Sequence, residues 1–235
     1  AYTAVDKAEH DQDACFALNR DGAALLARAA ARRNVPVIHL STHYVFDGHK
    51  QGPYDESDAP SPATVYGRSK LEGEQAVAAA NPKHVIVRTG WVFSTAANGF
   101  AARMLDAAAS GAPLKLVDDQ CGNPTYAPHL AAALLELGRR LCTEPDSAPV
   151  WGTYHAAGAG EATWFGLAAE LIAQARKPDA PAATLERISS ADYAAAAARP
   201  ANATLDCTRF ARTFGLALPP WRDGVADCVA AFERA

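Results

Sequence analysis

Tyr66-Gly67-Arg68-Ser69-Lys70 places a phenol four residues before an ammonium. On a helix, positions i and i+4 share one face, with Cβ atoms about 5–6 Å apart. A tyrosine ordinarily ionises near about pH 10, and a neighbouring cation favours the phenolate and lowers that value. Such a phenol can protonate a developing alkoxide at neutral pH and be reprotonated afterwards, as reduction of a ketone by hydride transfer requires. The spacing alone is weak, because a solvated helix pair has the same signature. Ser41-Thr42 strengthens it. These hydroxyls sit one loop upstream, at the end of the apolar run Val35–Ser41. Open α/β sheets bind ligands at the carboxyl ends of their strands, where a hydroxyl can meet a substrate oxygen beside the phenol. Thr42 also reads as an ordinary turn residue. Hydroxyl, Tyr and Lys in that order, on a strand end and the following helix, are rarer than any of the parts.

The elements that must hold these residues alternate. Phe16, Leu18, Leu25, Leu26, Ala29 and Ala30 predict a helix over Ala14–Arg33, closed by Asn34 and Pro36. Val35–Ser41 then reads as a strand buried on both faces of a parallel sheet. Asp47–Pro62, rich in Gly, Pro, Asp and Ser, is a loop long enough to suggest function. A helix over Ala63–Ala80, a strand at His84–Thr89, a helix over Gly99–Ser110 and a strand at Leu114–Val117 follow. The loop Asp118–Tyr126 leads to a helix over Ala127–Leu141, a strand near Trp151–Ala156 and a helix over Thr163–Ala175. After Pro178 the pattern is less regular, with a helix over Ala194–Ala198 and a last one over Trp221–Arg234. This alternation predicts an α/β, doubly wound, mostly parallel sheet. Residues 1–145 form its main body, and residues 146–235 form a smaller α/β substrate lobe interleaved with it.

A net charge of −4 over 235 residues argues against a nucleic-acid partner. No apolar stretch approaches the roughly 18–20 residues that span a bilayer. Five scattered cysteines without a CxxC make neither a disulfide framework nor a zinc site. They point to isolated thiols in a cytoplasmic protein. Asp118-Asp119 reads as a solvated turn rather than a metal pair, and no metal is expected.

The order Thr42, Tyr66, Lys70 resembles the extended short-chain dehydrogenase/reductases, whose fold is Rossmann-like. The stretches AYTAVDKAE (Ala1–Glu9), STHYVFDG (Ser41–Gly48), VYGRSKLEGE (Val65–Glu74), VRTGWVFS (Val87–Ser94), VDDQCGNPTYA (Val117–Ala127) and RPANATLD (Arg199–Asp206) narrow the likeness. Together they are similar to the dTDP-4-dehydrorhamnose reductase family. That resemblance implies reduction of the 4-keto group of dTDP-4-dehydro-L-rhamnose by NADPH or NADH, in the making of cell-surface polysaccharide. It implies Tyr66 as proton donor, Lys70 as its tuner and holder of the nicotinamide ribose, and Thr42 on the keto oxygen. Ala1, Tyr2 and Thr3 match the strand end lying along the cofactor. Trp91 matches a residue touching the sugar nucleotide, although core packing is the commoner fate of Trp. Asn98, Phe100, Gln120, Arg199 and Asn202 match positions near the substrate lobe. Arg199 reads either as a charge-assisted partner of a diphosphate oxygen or as a surface arginine. A homodimer is a further implication.

Two departures from the family stand out. His43 replaces the aspartate that usually follows the threonine, which implies altered sugar binding and a pH dependence between about pH 5 and 8, where imidazole titrates. The family also opens with a strand, a Gly-rich turn and a helix whose N-terminus receives the cofactor pyrophosphate. Ala1 matches a position on the order of 60 residues into the family, at roughly 30 per βα unit. The expectation is a preceding segment of that length, without which NADPH binds poorly and a sheet edge lies open. Two alternatives remain at this point. One is a non-catalytic NADP-binding scaffold similar to the regulatory β subunit of methionine adenosyltransferase. The other is a different sugar-nucleotide reductase, epimerase or dehydratase, although dehydratases usually carry Asp-Glu where His43-Tyr44 stands.

Overall fold

The computed structural model describes residues 1–111, 113–145, 148–176, 183–193 and 195–234. Three parallel strands make the main sheet, in the order Val37–Thr42, His84–Thr89, Gly152–His155. Val37 lies opposite His84 and Thr42 opposite Thr89, while Val85 lies opposite Gly152. Parallel neighbours need crossover connections. The helix Val65–Ala80 lies in the first, and the helices Phe100–Ala109 and Ala127–Leu141 in the second. The central strand is apolar because it is covered on both faces: Val85 and Val87 are fully buried, packed with Leu130, Leu137, Tyr154 and Phe210. The architecture is α/β, mostly parallel and Rossmann-like.

Val37–Thr42 departs from the strand expected to be buried on both faces. It is an edge of the three-stranded sheet, and Leu40 is 43% exposed. Only Ser41 and Thr42, at its carboxyl end, are buried. The helix expected over Ala14–Arg33 is also different. Gln12–Phe16 and Ala23–Ala31 are α-helical, but Ala17–Gly22 between them widens into a π-helix. Asn19 sits in that widened turn with its amide facing inward. It accepts the Tyr2 N–H at 2.8 Å and donates to the Tyr2 carbonyl at 2.9 Å and to Ser69 Oγ at 2.9 Å. Cys15, Asn19, Ala24 and Ala27 face in, whereas Leu18, Leu25 and Leu26 are exposed. The small inward face lets the helix Val65–Ala80 come close, with Gly73 against the Asn19 carbonyl.

The second half builds smaller layers. Leu114–Val117 pairs in parallel with Leu185–Ile188, and Cys121–Gly122 lies between Asn202–Ala203 and Ala162–Thr163. The helices Trp164–Ala175 and Trp221–Glu233 pack together through Leu167, Leu171, Trp221 and Val225. The tract after Pro178 is more regular than its sequence suggests, holding Leu185–Ile188, Ser190–Tyr193 and Thr208–Phe214 before the last helix. Pro178 itself lies outside the described residues. No helix forms over residues 195–198, where Ala197 gives its N–H to the Asp6 carboxylate; Ala194 lies outside the described residues. Gly152–His155, from the second half of the chain, completes the main sheet, so the two halves interleave.

One polar contact crosses the core. Arg88 on the central strand meets Glu74 on the helix Val65–Ala80 through two bonds, Nε to Oε1 at 2.9 Å and Nη2 to Oε2 at 2.7 Å. Both side chains are almost fully buried, and the guanidinium also lies 5.1 Å from the Phe46 ring centroid. Among the described residues no helix is long and apolar enough to cross a membrane. The five cysteines are free thiols.

Candidate active site

Thr42 ends its strand with extended backbone, and its hydroxyl accepts the Tyr44 N–H at 3.2 Å, starting the tight turn His43–Val45. Thr64 caps the next helix in the same way, accepting the Gly67 N–H at 3.0 Å. Gly67 lets the two turns touch: a Cβ there would lie 2.2 Å from the Tyr44 carbonyl oxygen. This close approach brings the Tyr66 phenol beside the Thr42 side chain, near enough for Thr42 to act on its pKa. The Tyr66 ring also meets Tyr44 edge-on, with centroids 5.4 Å apart. Burial pushes the phenol above its ordinary pKa, and Thr42 draws it part of the way back. Tyr66 therefore holds its proton at neutral pH, as a proton donor must.

Lys70 does not follow the local expectation. Its ammonium turns from the phenol to the Leu40 carbonyl, 2.5 Å away, with His39 Nε2 at 3.5 Å. Burial lowers its pKa to about 8, while Glu74 works in the opposite direction. Lys70 is not among the groups that shift Tyr66. The i,i+4 spacing puts both side chains on one helix face, but a buried ammonium seeks an acceptor, and the strand-end carbonyl is the one in reach. An ammonium has three donors, so Lys70 keeps capacity for a further acceptor such as a ribose hydroxyl. A nicotinamide cofactor fits that remaining capacity. Tyr2, clamped by Asn19, packs with Ala8, Cys15 and Val65 beside Tyr66, so Ala1–Thr3 lies along the same flank.

Next to Thr42 a cavity of about 390 Å³ opens, walled by His43, Tyr44, Trp91 and Trp164, with Arg103, Lys115 and Arg199 among its polar groups. Trp91 is in the left-handed region, φ 48°, which is rare for a bulky residue and marks a position held by its surroundings. Its ring stacks on Trp164 with centroids 3.8 Å apart. Gly122 makes room for it, since a Cβ there would meet the indole at 2.5 Å. Trp164 Nε1 donates to Gln120 Oε1 at 3.1 Å, which fixes the stack from the other side. An aromatic wall with cations at its rim suits a ligand with a flat base and anionic oxygens.

The sequence profile of the RmlD substrate binding domain family matches residues 1–234. The chain belongs to this family. It is similar to the dTDP-4-dehydrorhamnose reductase of Sinorhizobium fredii, 46% identical over 97% of this chain and 77% of that protein. Against the enzyme of the same name from Escherichia coli, identity is 39% over 96% of this chain and 75% of that one. Among solved structures, dTDP-4-dehydrorhamnose reductase from Bacillus anthracis in complex with NADP superposes with a TM-score of 0.88 at 31% identity, covering 98% of this chain and 78% of that one. The resemblance read from six stretches of sequence is thus borne out.

In this RmlD-family chain the other sequence candidates fall into two groups. Trp91, His43, Phe100, Gln120 and Arg199 come together around the cavity. Asn98 and Asn202 are not among its lining residues. Asn98 is exposed before the helix Phe100–Ala109. Asn202 donates to the carbonyls of Lys50 and Gly52 at 2.8 and 2.6 Å, closing the long loop Asp47–Pro62. Arg199 lines the cavity but is paired with Asp6, Nη2 to Oδ2 at 2.7 Å. Asp118 accepts from Thr163 at 2.5 Å and from Arg187, and Asp119 accepts the Ser190 N–H at 2.9 Å. Sequence reasoning missed Arg103, Lys115 and Trp164. Arg103 sits three residues after Phe100, one helical turn, and that spacing was the available signal. Neither Arg103 nor Lys115 makes an ion pair with a described residue.

His43 corrects an expectation. It is buried beside Gly90, and burial lowers its pKa to about 4, partly offset by the Thr89 backbone. The imidazole is therefore neutral throughout about pH 5 to 8, the window in which an unperturbed histidine would titrate. Because the folded-state pKa is depressed, the neutral form dominates as soon as the pH rises above about 4. His43→Gln, which cannot ionise, is expected to leave the shape of the kcat/KM profile over that window unchanged. A limb in the wild type that disappears in the variant would show that His43 titrates there after all.

Proposed function

We propose that this protein reduces the 4-keto group of dTDP-4-dehydro-L-rhamnose to give dTDP-L-rhamnose, using NADPH or NADH. The observation that carries the reading is the Tyr66 phenol set beside Thr42 at an aromatic, cation-rimmed cavity, in a chain aligned over nearly its whole length with reductases of that name. The nicotinamide, when bound, supplies the hydride. Thr42 Oγ1 holds the keto oxygen and orients the carbonyl. Tyr66 donates its phenolic proton to that oxygen as negative charge develops there. Lys70 offers its remaining N–H donors to ribose hydroxyls, and Ala1–Thr3 flank the cofactor. Trp91 and Trp164 take the flat part of the sugar nucleotide, and His43 meets the sugar.

The diphosphate falls to Arg103 and Lys115, neither within ion-pair distance of a described carboxylate, rather than to Arg199, which Asp6 holds. Residues 1–145 then serve chiefly as the cofactor side and residues 146–235 as the substrate lobe, interleaved through the main sheet. A cytoplasmic location and a homodimer complete the reading.

Steady-state oxidation of NADPH, followed by its absorbance with dTDP-4-dehydrorhamnose as oxidant, tests it in the intact enzyme. Turnover that depends on the sugar nucleotide is expected. NADPH binding without turnover would instead favour the non-catalytic scaffold.

A further inference from the structure

Asp6 lies in the short helix Val5–Ala8 and is not among the residues that line the cavity. Its carboxylate is nevertheless fully used across the molecule. Oδ1 accepts the Ala197 N–H at 2.9 Å, and Oδ2 accepts from Arg199 Nη2 at 2.7 Å. The Ala197 bond, reinforced by Arg199, holds the carboxyl below its usual range despite partial burial. Arg199 and Pro200 wall the cavity, and the Arg199 charge is felt at Tyr44, the ring packed against Tyr66. Three residues after Asp6, Glu9 Oε1 accepts the Val65 N–H at 2.9 Å, at the first residue of the helix that carries Tyr66 and Lys70. A carboxylate is favoured there by the helix dipole. The segment Tyr2–Glu9 thus has one carboxylate on the loop that walls the cavity and another on the catalytic helix.

We propose that Asp6 is a positioning residue for the substrate. It ties residues 197–200 to the Tyr66 helix, so that the cavity wall presents the sugar to Thr42 and Tyr66 in one orientation. This rests on the functional reading above. As a contribution to stability the pair is minor: the side chains are 21% and 49% exposed, and ion pairs in that range contribute little. Its geometry matters more. A backbone N–H and a guanidinium held by one carboxylate pin the loop at two points, which restricts both its shift and its rotation. A loop ordered before the substrate arrives reduces the entropy lost on binding. The effect therefore belongs in substrate affinity rather than in unfolding.

Two measurements on the intact enzyme decide it. Asp6→Ala is expected to raise KM for the sugar nucleotide about tenfold, the scale of one charge-assisted contact, with KM for NADPH changed less than about twofold. Asp6→Glu, which keeps the charge, should recover much of the loss, and Tm should stay within about 2 °C of the wild type in both. In the unliganded protein, amide exchange over residues 195–203 should quicken at least about tenfold in Asp6→Ala, while the helix Val65–Ala80 is unaffected. Unchanged exchange overturns the proposal, and so does faster exchange with an unchanged sugar-nucleotide KM. A parallel rise of both KM values with a fall in Tm also overturns it, since that is general damage. A wild type without turnover would sink the functional reading alone, and the exchange experiment would still decide whether Asp6 holds the loop.

Discussion

Replacing Tyr66 by Phe is expected to lower kcat by about two to four orders of magnitude, the contribution of a positioned proton donor. The phenol ring stays, so its edge-on contact with Tyr44 and its place on the helix Val65–Ala80 should survive. Only the O–H beside Thr42 is lost. That O–H matters most when charge grows on the keto oxygen. An interaction realised in the transition state lowers kcat and kcat/KM alike and leaves KM nearly constant. Steady-state kinetics with dTDP-4-dehydrorhamnose would check this, with a thermal melt to confirm the fold. Activity within about tenfold of the wild type would mean that another group delivers the proton.

The largest effect on stability is expected at Arg88. Arg88→Met keeps much of the side chain's bulk but leaves the Glu74 carboxylate buried without its partner. Breaking one side of a buried pair costs about 3–5 kcal/mol. At this chain length that is a fall in Tm of roughly 6–20 °C. The second change Glu74→Leu removes the orphaned charge and should restore most of the loss, because the pair itself adds little over a well-packed apolar contact. Denaturant unfolding of the single and double variants would measure both. If Arg88→Met were nearly neutral, water would have to reach Glu74, against its 5% side-chain exposure.

Arg88 and Lys70 show how differently two buried cations are read from sequence. Arg88 lies in the run HVIVRT, where one charge interrupts a strand, and the interruption says that a partner exists without saying which. Lys70 lies at a spacing that names a partner, Tyr66, while its hydrogen bond runs to the Leu40 carbonyl. Spacing reports which residues share a helix face. It carries no information about the strand-end carbonyl of Leu40, which comes from thirty residues earlier. Arg199 is the extreme case. Its partner Asp6 stands 193 positions away, so nothing local distinguished a diphosphate grip from an internal clasp.

The pair that opens the catalytic argument was legible in part. The sequence alone determined that Tyr66 stands near the start of a helix over Ala63–Ala80, following a strand with Thr42 at its end. Those facts rest on short-range physics, the apolar runs and their spacing. The six family-like stretches determined the fold class and the chemistry to look for. Tertiary structure alone decided that Tyr66 lies beside Thr42 and that Lys70 donates to the Leu40 carbonyl. It decided that His43 stays neutral, that Trp91 stacks on Trp164, and that Arg103 and Lys115 stand at the cavity without an ion pair to a described residue. The reason is common to all of these. A pKa, a stacking partner or an unpaired charge depends on burial and on atoms distant in the chain, and neither is set until the layers have packed.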